Sequence, residues 1–182
     1  MLKIHLGCGG HELAGWENHD RDVDLRLPLP WVDGAAGFIL AEHVIEHLTA
    51  PQGMLLLEEC FRVLRSGGVL RLSFPDPVRV HRLAPIELKN YAAGLRRKSV
   101  NISTAPEQCW RDCVRSVVCC WKHQSAWTIE LALVLLRAAG FTSFELCAYG
   151  VSTVPELAGV DGHHLAAGEL ARLESTIVEA TK

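Results

Sequence analysis

The chain opens on a short apolar strand pattern, Leu2-Lys3-Ile4-His5-Leu6, that runs straight into Gly7-Cys8-Gly9-Gly10 and then reaches an acid, Asp20, through Trp16-Glu17-Asn18-His19. This order constrains the fold more than any other feature, because it is the layout of a nucleotide-type pocket at the carboxyl end of a parallel strand. Glycines after a strand let the backbone turn sharply and approach a ligand, since no Cβ stands in the way. A carboxylate soon afterwards can accept hydrogen bonds from a ribose diol. The spacing departs from the dinucleotide fingerprint, which places three glycines as G-x-G-x-x-G and its acid about 20 residues further on. Here the third glycine position holds Glu12, and Asp20 arrives early. No helix N-terminus follows that could hold a pyrophosphate.

A ligand with a ribose and no phosphates fits this spacing, and S-adenosylmethionine is the common one. The following residues extend the pattern. Asp22-Val23-Asp24-Leu25 precedes Leu27-Pro28-Leu29-Pro30-Trp31, and Gly37-Phe38-Ile39-Leu40-Ala41 is a continuous apolar run of the kind buried in a parallel sheet. It ends at Glu42-His43-Val44-Ile45-Glu46-His47. Residues 51–64 carry Leu56, Leu57, Cys60, Phe61 and Leu64 at helical spacing, with Gly67-Gly68 as the expected C-terminal cap. Val69-Leu70-Arg71-Leu72-Ser73-Phe74 is a strand, closed by Pro75-Asp76-Pro77.

With these motifs, and with Arg62-Val63-Leu64-Arg65-Ser66-Gly67-Gly68 ahead of Ser73-Phe74-Pro75-Asp76, residues 3–77 resemble the class I S-adenosylmethionine-dependent methyltransferases, in particular the small bacterial type-11-like group. A weaker resemblance runs on through residues 123–128, 136–141 and 177–182. The resemblance implies an α/β fold: a Rossmann-like three-layer sandwich with a mostly parallel sheet, an antiparallel C-terminal strand and shortened N-terminal helices. It implies that Gly7 and Gly9, in a turn with Leu6 and Cys8, pass close to the methionine moiety. Asp20 would hold the ribose hydroxyls, Asp24 and Leu25 would line the adenine, and Ala41 and Glu42 would flank the methionine end. The family places a full helix between its first two strands and another before the third, and this chain has room for neither. Asp20 and Asp24 are therefore close rivals for one adenosine role.

Two histidines are the proton-handling candidates. His43 lies where an acceptor hydroxyl or amine would approach the methyl group, and His123 sits among aromatics in Trp121-Lys122-His123-Gln124-Ser125-Ala126-Trp127. His43-Val44-Ile45-Glu46-His47 also matches H-x-x-E-H, in which two histidines one helical turn apart bind zinc and the glutamate activates water. A zinc-dependent hydrolase is thus an alternative reading, although no third ligand with a helical context of its own is evident, so no metal ligand is assigned. A domain that binds the cofactor without turnover is another, motivated by the shortened stretch between residues 10 and 24.

The second half reads as the substrate side. Residues 85–98 are a predicted helix with a basic end, and residues 78–127 form a predicted lid. Residues 129–139 are a helix that Thr128 can cap. Residues 144–148 and 176–180 are strands, 155–164 a loop and 165–173 a short helix. Cys109, Trp110, Cys113, Val114, Val117, Val118 and Trp121 recur at three- and four-residue steps and predict a buried helix face on which cysteine acts as a small hydrophobe. With 182 residues, 49% of them hydrophobic, the chain reads as one domain, 1–77 binding the cofactor and 128–182 completing the sheet. A net charge of −3 gives no electrostatic reason to expect nucleic acid, and no apolar run long enough for a membrane span precedes the first strand. Seven cysteines, an odd count, fit a reduced, cytoplasmic setting. The absence of an Asn-Pro-Pro-Tyr-type tetrapeptide after Ala41 favours a small-molecule acceptor, with S-adenosylhomocysteine as product. An open adenosine edge leaves room for a homodimer.

Overall fold

In the computed structural model, which describes residues 1–162 and 169–182, the first strand pattern becomes β1 (Leu2–Leu6). It pairs in parallel with β2 (Glu17–His19) on one side and β3 (Ala36–Glu42) on the other, and β3 pairs in parallel with β4 (Leu64–Pro75). The C-terminal strand β6 (Ser175–Thr181) then runs antiparallel between β4 and β5 (Ser143–Cys147). The sheet order is β2-β1-β3-β4-β6-β5. Every residue of β3 is buried, as its unbroken apolar run requires of a central parallel strand.

Two helices cover one face. α1 (Ala50–Val63) starts where the Gln52 side-chain oxygen accepts from the Thr49 backbone N–H at 3.0 Å, and it buries Leu56, Leu57, Cys60 and Val63. α5 (Ile129–Ala139) is capped by the Thr128 hydroxyl, which accepts from Leu131 N at 3.3 Å, and it stops at Gly140, whose φ of +113° only glycine adopts freely. Ile4, Leu6, Ile39, Leu70, Phe74, Trp127, Leu136 and Phe141 join α1 and α5 in the main core.

Gly67 and Gly68 do not cap α1. The helix ends at Val63, and Leu64 is already extended as the first residue of β4. The glycines absorb a bulge instead: Ala36 pairs with Leu64 but Phe38 pairs with Val69, so β4 carries extra residues at this point. Gly67 takes φ +71°, and a Cβ on Gly68 would stand 2.9 Å from the Arg65 carbonyl oxygen and 3.1 Å from that of Gly37.

A second cluster gathers α2 (Pro77–His81), α3 (Pro85–Arg97), α4 (Pro106–Cys119) and α6 (Leu170–Glu174) around Val80, Tyr91, Leu95, Cys113, Val117 and Leu170. The cysteine-bearing face is narrower than its periodicity predicts: Cys113 and Val117 are buried, whereas Val118 and Trp121 are exposed. The helix stops at Cys119, and Trp121 turns away with φ +55°. Asp76 links the layers, since its carboxylate caps α2 at Val78 N (2.8 Å) and accepts from the Thr176 hydroxyl of β6 (3.0 Å). The expected helix over 165–173 is present as α6, from Leu170 to Glu174; the residues of that expectation before 169, and the end of the expected loop over 155–164, lie outside the described residues.

The opposite face of the sheet carries Phe38, Val69 and Leu157, with Trp16 and Val154 packed against them. The connections from β1 to β2 and from β2 to β3 contain no helix, in keeping with the shortened N-terminal region. The connection after β5 covers this side and is fixed by Arg71 of β4, which is fully buried. Its guanidinium donates to both Asp161 oxygens (2.8 and 2.5 Å) and to Glu179 of β6 (2.5 Å).

Candidate active site

The parallel strands β1, β2 and β3 end together, and the glycine turn lies at that edge. Gly7 has φ +66° and a Cβ there would sit 2.2 Å from Val44 Cγ2, so the residue packs directly on the segment leaving β3. Gly9 has φ +53°, and neither Gly9 nor Gly10 has a heavy atom within 4 Å of where a Cβ would be. The turn is therefore closed on its inner side and open on its outer side. Cys8 N donates to the His19 carbonyl at 3.0 Å, carrying the β1–β2 pairing into the turn and setting Asp20 beside it. Burial raises the Cys8 thiol pKa, and the charges of Asp20, Glu12 and Asp22 raise it further, which makes this rim acidic. Asp20 is half exposed, with the Arg21 guanidinium 3.8 Å away.

The remaining expected cofactor residues are placed differently from one another. Leu6 and Ala41 are fully buried with their side chains in the core, which leaves only their backbone to face the strand ends. Both Asp24 oxygens are taken by Arg26 at 2.8 Å, and these bonds pull the Asp24 pKa down to about 2. Leu25 is buried in the core and lines a cleft of about 400 Å3 together with Asp24, Arg26, His47 and Gln124. Glu42 accepts from Gly162 N at 2.9 Å, and the Tyr149 hydroxyl donates to its other oxygen at 3.5 Å. The connection after β5 thus reaches across the strand ends, where His11 also engages the Val160 carbonyl at 3.0 Å.

The segment after β3 is the most strained part of this edge. His43 leaves the strand with φ +52°, and Ile45–His47 form a single 3-10 turn. His43 is buried: its Nε2 lies 2.6 Å from the Ser175 hydroxyl and its Nδ1 3.3 Å from Glu46 Oε1. Burial lowers its pKa to about 4, so the ring is neutral near pH 7. Burial raises that of Glu46 to about 7. The two outer histidines of the H-x-x-E-H pattern do not stack one helical turn apart, because this segment is no α-helix. Among the described residues the group able to share an ion is Glu46, His47 and His123.

His123 is brought there by its loop. Gln124 N and Ser125 N both donate to the Glu46 carbonyl (2.8 and 3.2 Å), the Gln124 side chain donates to the His47 carbonyl (2.5 Å) and the Ser125 hydroxyl to that of Leu48 (2.8 Å). The His123 and His47 rings meet edge to face at 5.0 Å. Sequence reasoning placed His43 and His123 as separate candidates and missed their link through Glu46, as well as Ser175, Tyr149 and Gly162. Arg71 had a readable signal, a charge in the middle of an apolar strand.

The sequence profile of the methyltransferase domain matches residues 19–72, from the end of β2 into β4. No curated protein matches the sequence. Among solved structures the chain is similar to S-adenosylmethionine-dependent methyltransferases from Archaeoglobus fulgidus (12% identity, TM-score 0.52, 99% of this chain and 85% of that one) and Mesorhizobium loti (15%, 0.52, 100% and 90%). It is also similar to one from Thermotoga maritima (16%, 0.52, 100% and 82%). At such identities the likeness is one of fold, and it spans nearly the whole chain. The chain therefore has the fold of the class I methyltransferases, with the sequence signature of a methyltransferase domain over residues 19–72.

Proposed function

We propose that the chain transfers a methyl group from S-adenosylmethionine to a small-molecule acceptor. The observation that carries this is the glycine turn, whose outer side is open at Gly9 and Gly10 and whose Cys8–His19 bond sets the Asp20 carboxylate next to it. When bound, S-adenosylmethionine supplies an electrophilic methyl group on a sulfonium. The chain has three tasks toward it. Gly9 and Gly10 let the backbone approach the ligand without a Cβ in the way. Asp20 accepts from the ribose hydroxyls, whereas the Asp24 carboxylate, held by Arg26, is the weaker claimant for an adenosine contact. The acidic rim of Asp20, Glu12 and Asp22 favours a cationic ligand.

Transfer from a sulfonium is downhill, so alignment of the acceptor and exclusion of water do most of the work. The helical cluster of α2 to α4 forms the acceptor side in this reading, and residues 148–162 cover the strand ends. His43, already bonded to Ser175 and neutral, fits a positioning role better than that of a base. Seven free cysteines fit work in a reducing compartment, the cytoplasm. Calorimetric titration of the full chain with S-adenosylmethionine and S-adenosylhomocysteine tests the reading. Micromolar binding of both, with the product at least as tight, supports an enzyme; binding of neither refutes it.

A further inference from the structure

Glu46 is 1% exposed, yet neither of its carboxylate oxygens has a hydrogen-bond partner. A buried acid in that condition costs several kcal/mol unless something positive meets it. The His43 ring is near, but 3.3 Å is a contact without hydrogen-bond geometry. His47 and His123 also stand close by, and one donor atom from each of the three residues lies within 4.8 Å of the others.

The His123 ring is set up for more than packing. His123 Nδ1 lies 2.6 Å from the Val117 carbonyl, which can only accept, so Nδ1 carries the proton and Nε2 keeps a lone pair. An imidazole that donates one N–H to a backbone carbonyl and presents its other nitrogen is the arrangement that orients metal ligands. The loop bearing His123 is tied to residues 46–48 by the four hydrogen bonds described above, so the three donors are held by one rigid scaffold. His47 also lines the cleft of about 400 Å3 beside Asp24 and Leu25, which gives an ion a route in from solvent.

We propose that Glu46, His47 and His123 form a binding site for a divalent transition-metal ion, zinc by preference, with a coordination position left open toward that cleft. Two imidazole nitrogens and one carboxylate are borderline ligands that suit zinc and its first-row neighbours, whereas magnesium and calcium favour all-oxygen sites. Bonds near 2.1 Å hold tetrahedral donors about 3.5 Å apart, so side-chain rotations of about an ångström close the site. Three protein ligands leave the fourth position to water or to an oxygen or nitrogen of a bound molecule. The ion differs from that of the H-x-x-E-H pattern, since His43 is replaced by a residue distant in sequence. The site stands on its own geometry and does not depend on methyl transfer.

The test is calorimetric titration of the chelator-treated full chain with zinc chloride, and separately with magnesium chloride, in the absence of any cofactor. The expected result is one equivalent of zinc bound at micromolar affinity or tighter, with no comparable uptake of magnesium. His123→Ala should weaken zinc binding by more than the roughly 10- to 100-fold that loss of an orienting partner costs. His81→Ala, which changes a histidine outside the cluster, should leave it unchanged. Circular dichroism shows whether each variant is folded, and cobalt substitution in the wild-type chain gives a second readout, a visible band that imidazole coordination produces. Absence of zinc binding by the folded wild-type chain, or equal affinity in folded His123→Ala, overturns the site. Either outcome leaves S-adenosylmethionine binding free to succeed or fail independently.

Discussion

Replacing Arg71 by methionine tests how the cover over the strand ends is held. The guanidinium is fully buried, donates twice to Asp161 and once to Glu179, and reaches the Val151 carbonyl at 3.2 Å. Methionine fills much of the volume but leaves two buried carboxylates facing each other without a cation. Breaking a buried pair in this way costs about 3–5 kcal/mol. The expected loss is about 4 kcal/mol, a large part of the 5–15 kcal/mol typical of a domain. The loss should shrink on acidification. In the variant the folded-state carboxylate pKa lies above its unfolded value, so the fold binds more protons and gains stability as pH falls through it. Urea unfolding followed by tryptophan fluorescence at pH 8 and pH 5.5 reads both effects. Adding Asp161→Asn and Glu179→Gln to Arg71→Met should recover most of the loss, since no charge is then stranded. A loss below 1 kcal/mol, or one independent of pH, would refute the reasoning.

Asp20→Ala should weaken S-adenosylhomocysteine binding about 100-fold, the equivalent of two charge-assisted hydrogen bonds at about 1.5 kcal/mol each, with little change in melting temperature because the side chain is half exposed; unchanged affinity by calorimetry would remove Asp20 from the ribose. Gly9→Ala has no neighbour to strike but must adopt φ +53°, so stability should fall by about 1 kcal/mol while cofactor affinity falls much further, as paired unfolding and binding measurements would show. His5 is buried and its pKa is lowered to about 4, chiefly by burial. Its neutral ring therefore contributes stability that is fully present above pH 6.5 and is lost as pH falls toward 4, about 3 kcal/mol in all. His5→Gln should flatten the urea-midpoint profile in that window, and an unaltered profile would assign the acid sensitivity elsewhere.

What could be read in the sequence was local. The strands β1, β3 and β4 announce themselves because a central parallel strand must be apolar on both faces, and α5 because Thr128 and Gly140 mark its two ends. Gly67 and Gly68 mislead because glycine after a helical pattern usually ends a helix, whereas here α1 passes directly into β4 and the glycines are needed two steps later for the bulge. The H-x-x-E-H spacing misleads for a related reason. Its meaning presumes an α-helix, and a left-handed His43 followed by one 3-10 turn sends that histidine to Ser175. No periodicity pairs Glu46 with His123, or Arg71 with Asp161, because in each pair the second residue lies on a sequence-distant loop that the fold brings in.

The abbreviated first half explains why those distant loops matter. β2 is only three residues long, and turns stand where helices would lie between β1 and β3, so the strand ends have little cover from their own neighbourhood. Cover comes from the connection after β5, which reaches His11 through the Val160 carbonyl and Glu42 through Gly162. Asp161, between those two contacts, is the residue that Arg71 grips. One buried guanidinium on the central sheet thus fixes the two points at which the connection after β5 touches the edge where β1 and β3 end. The affinity for a cofactor should accordingly fall with Arg71→Met at a urea-free pH 8 where the variant is still folded, although Arg71 itself lies outside the glycine turn. A variant that loses stability but binds S-adenosylhomocysteine as tightly as the wild type would show that the cover is scaffold alone.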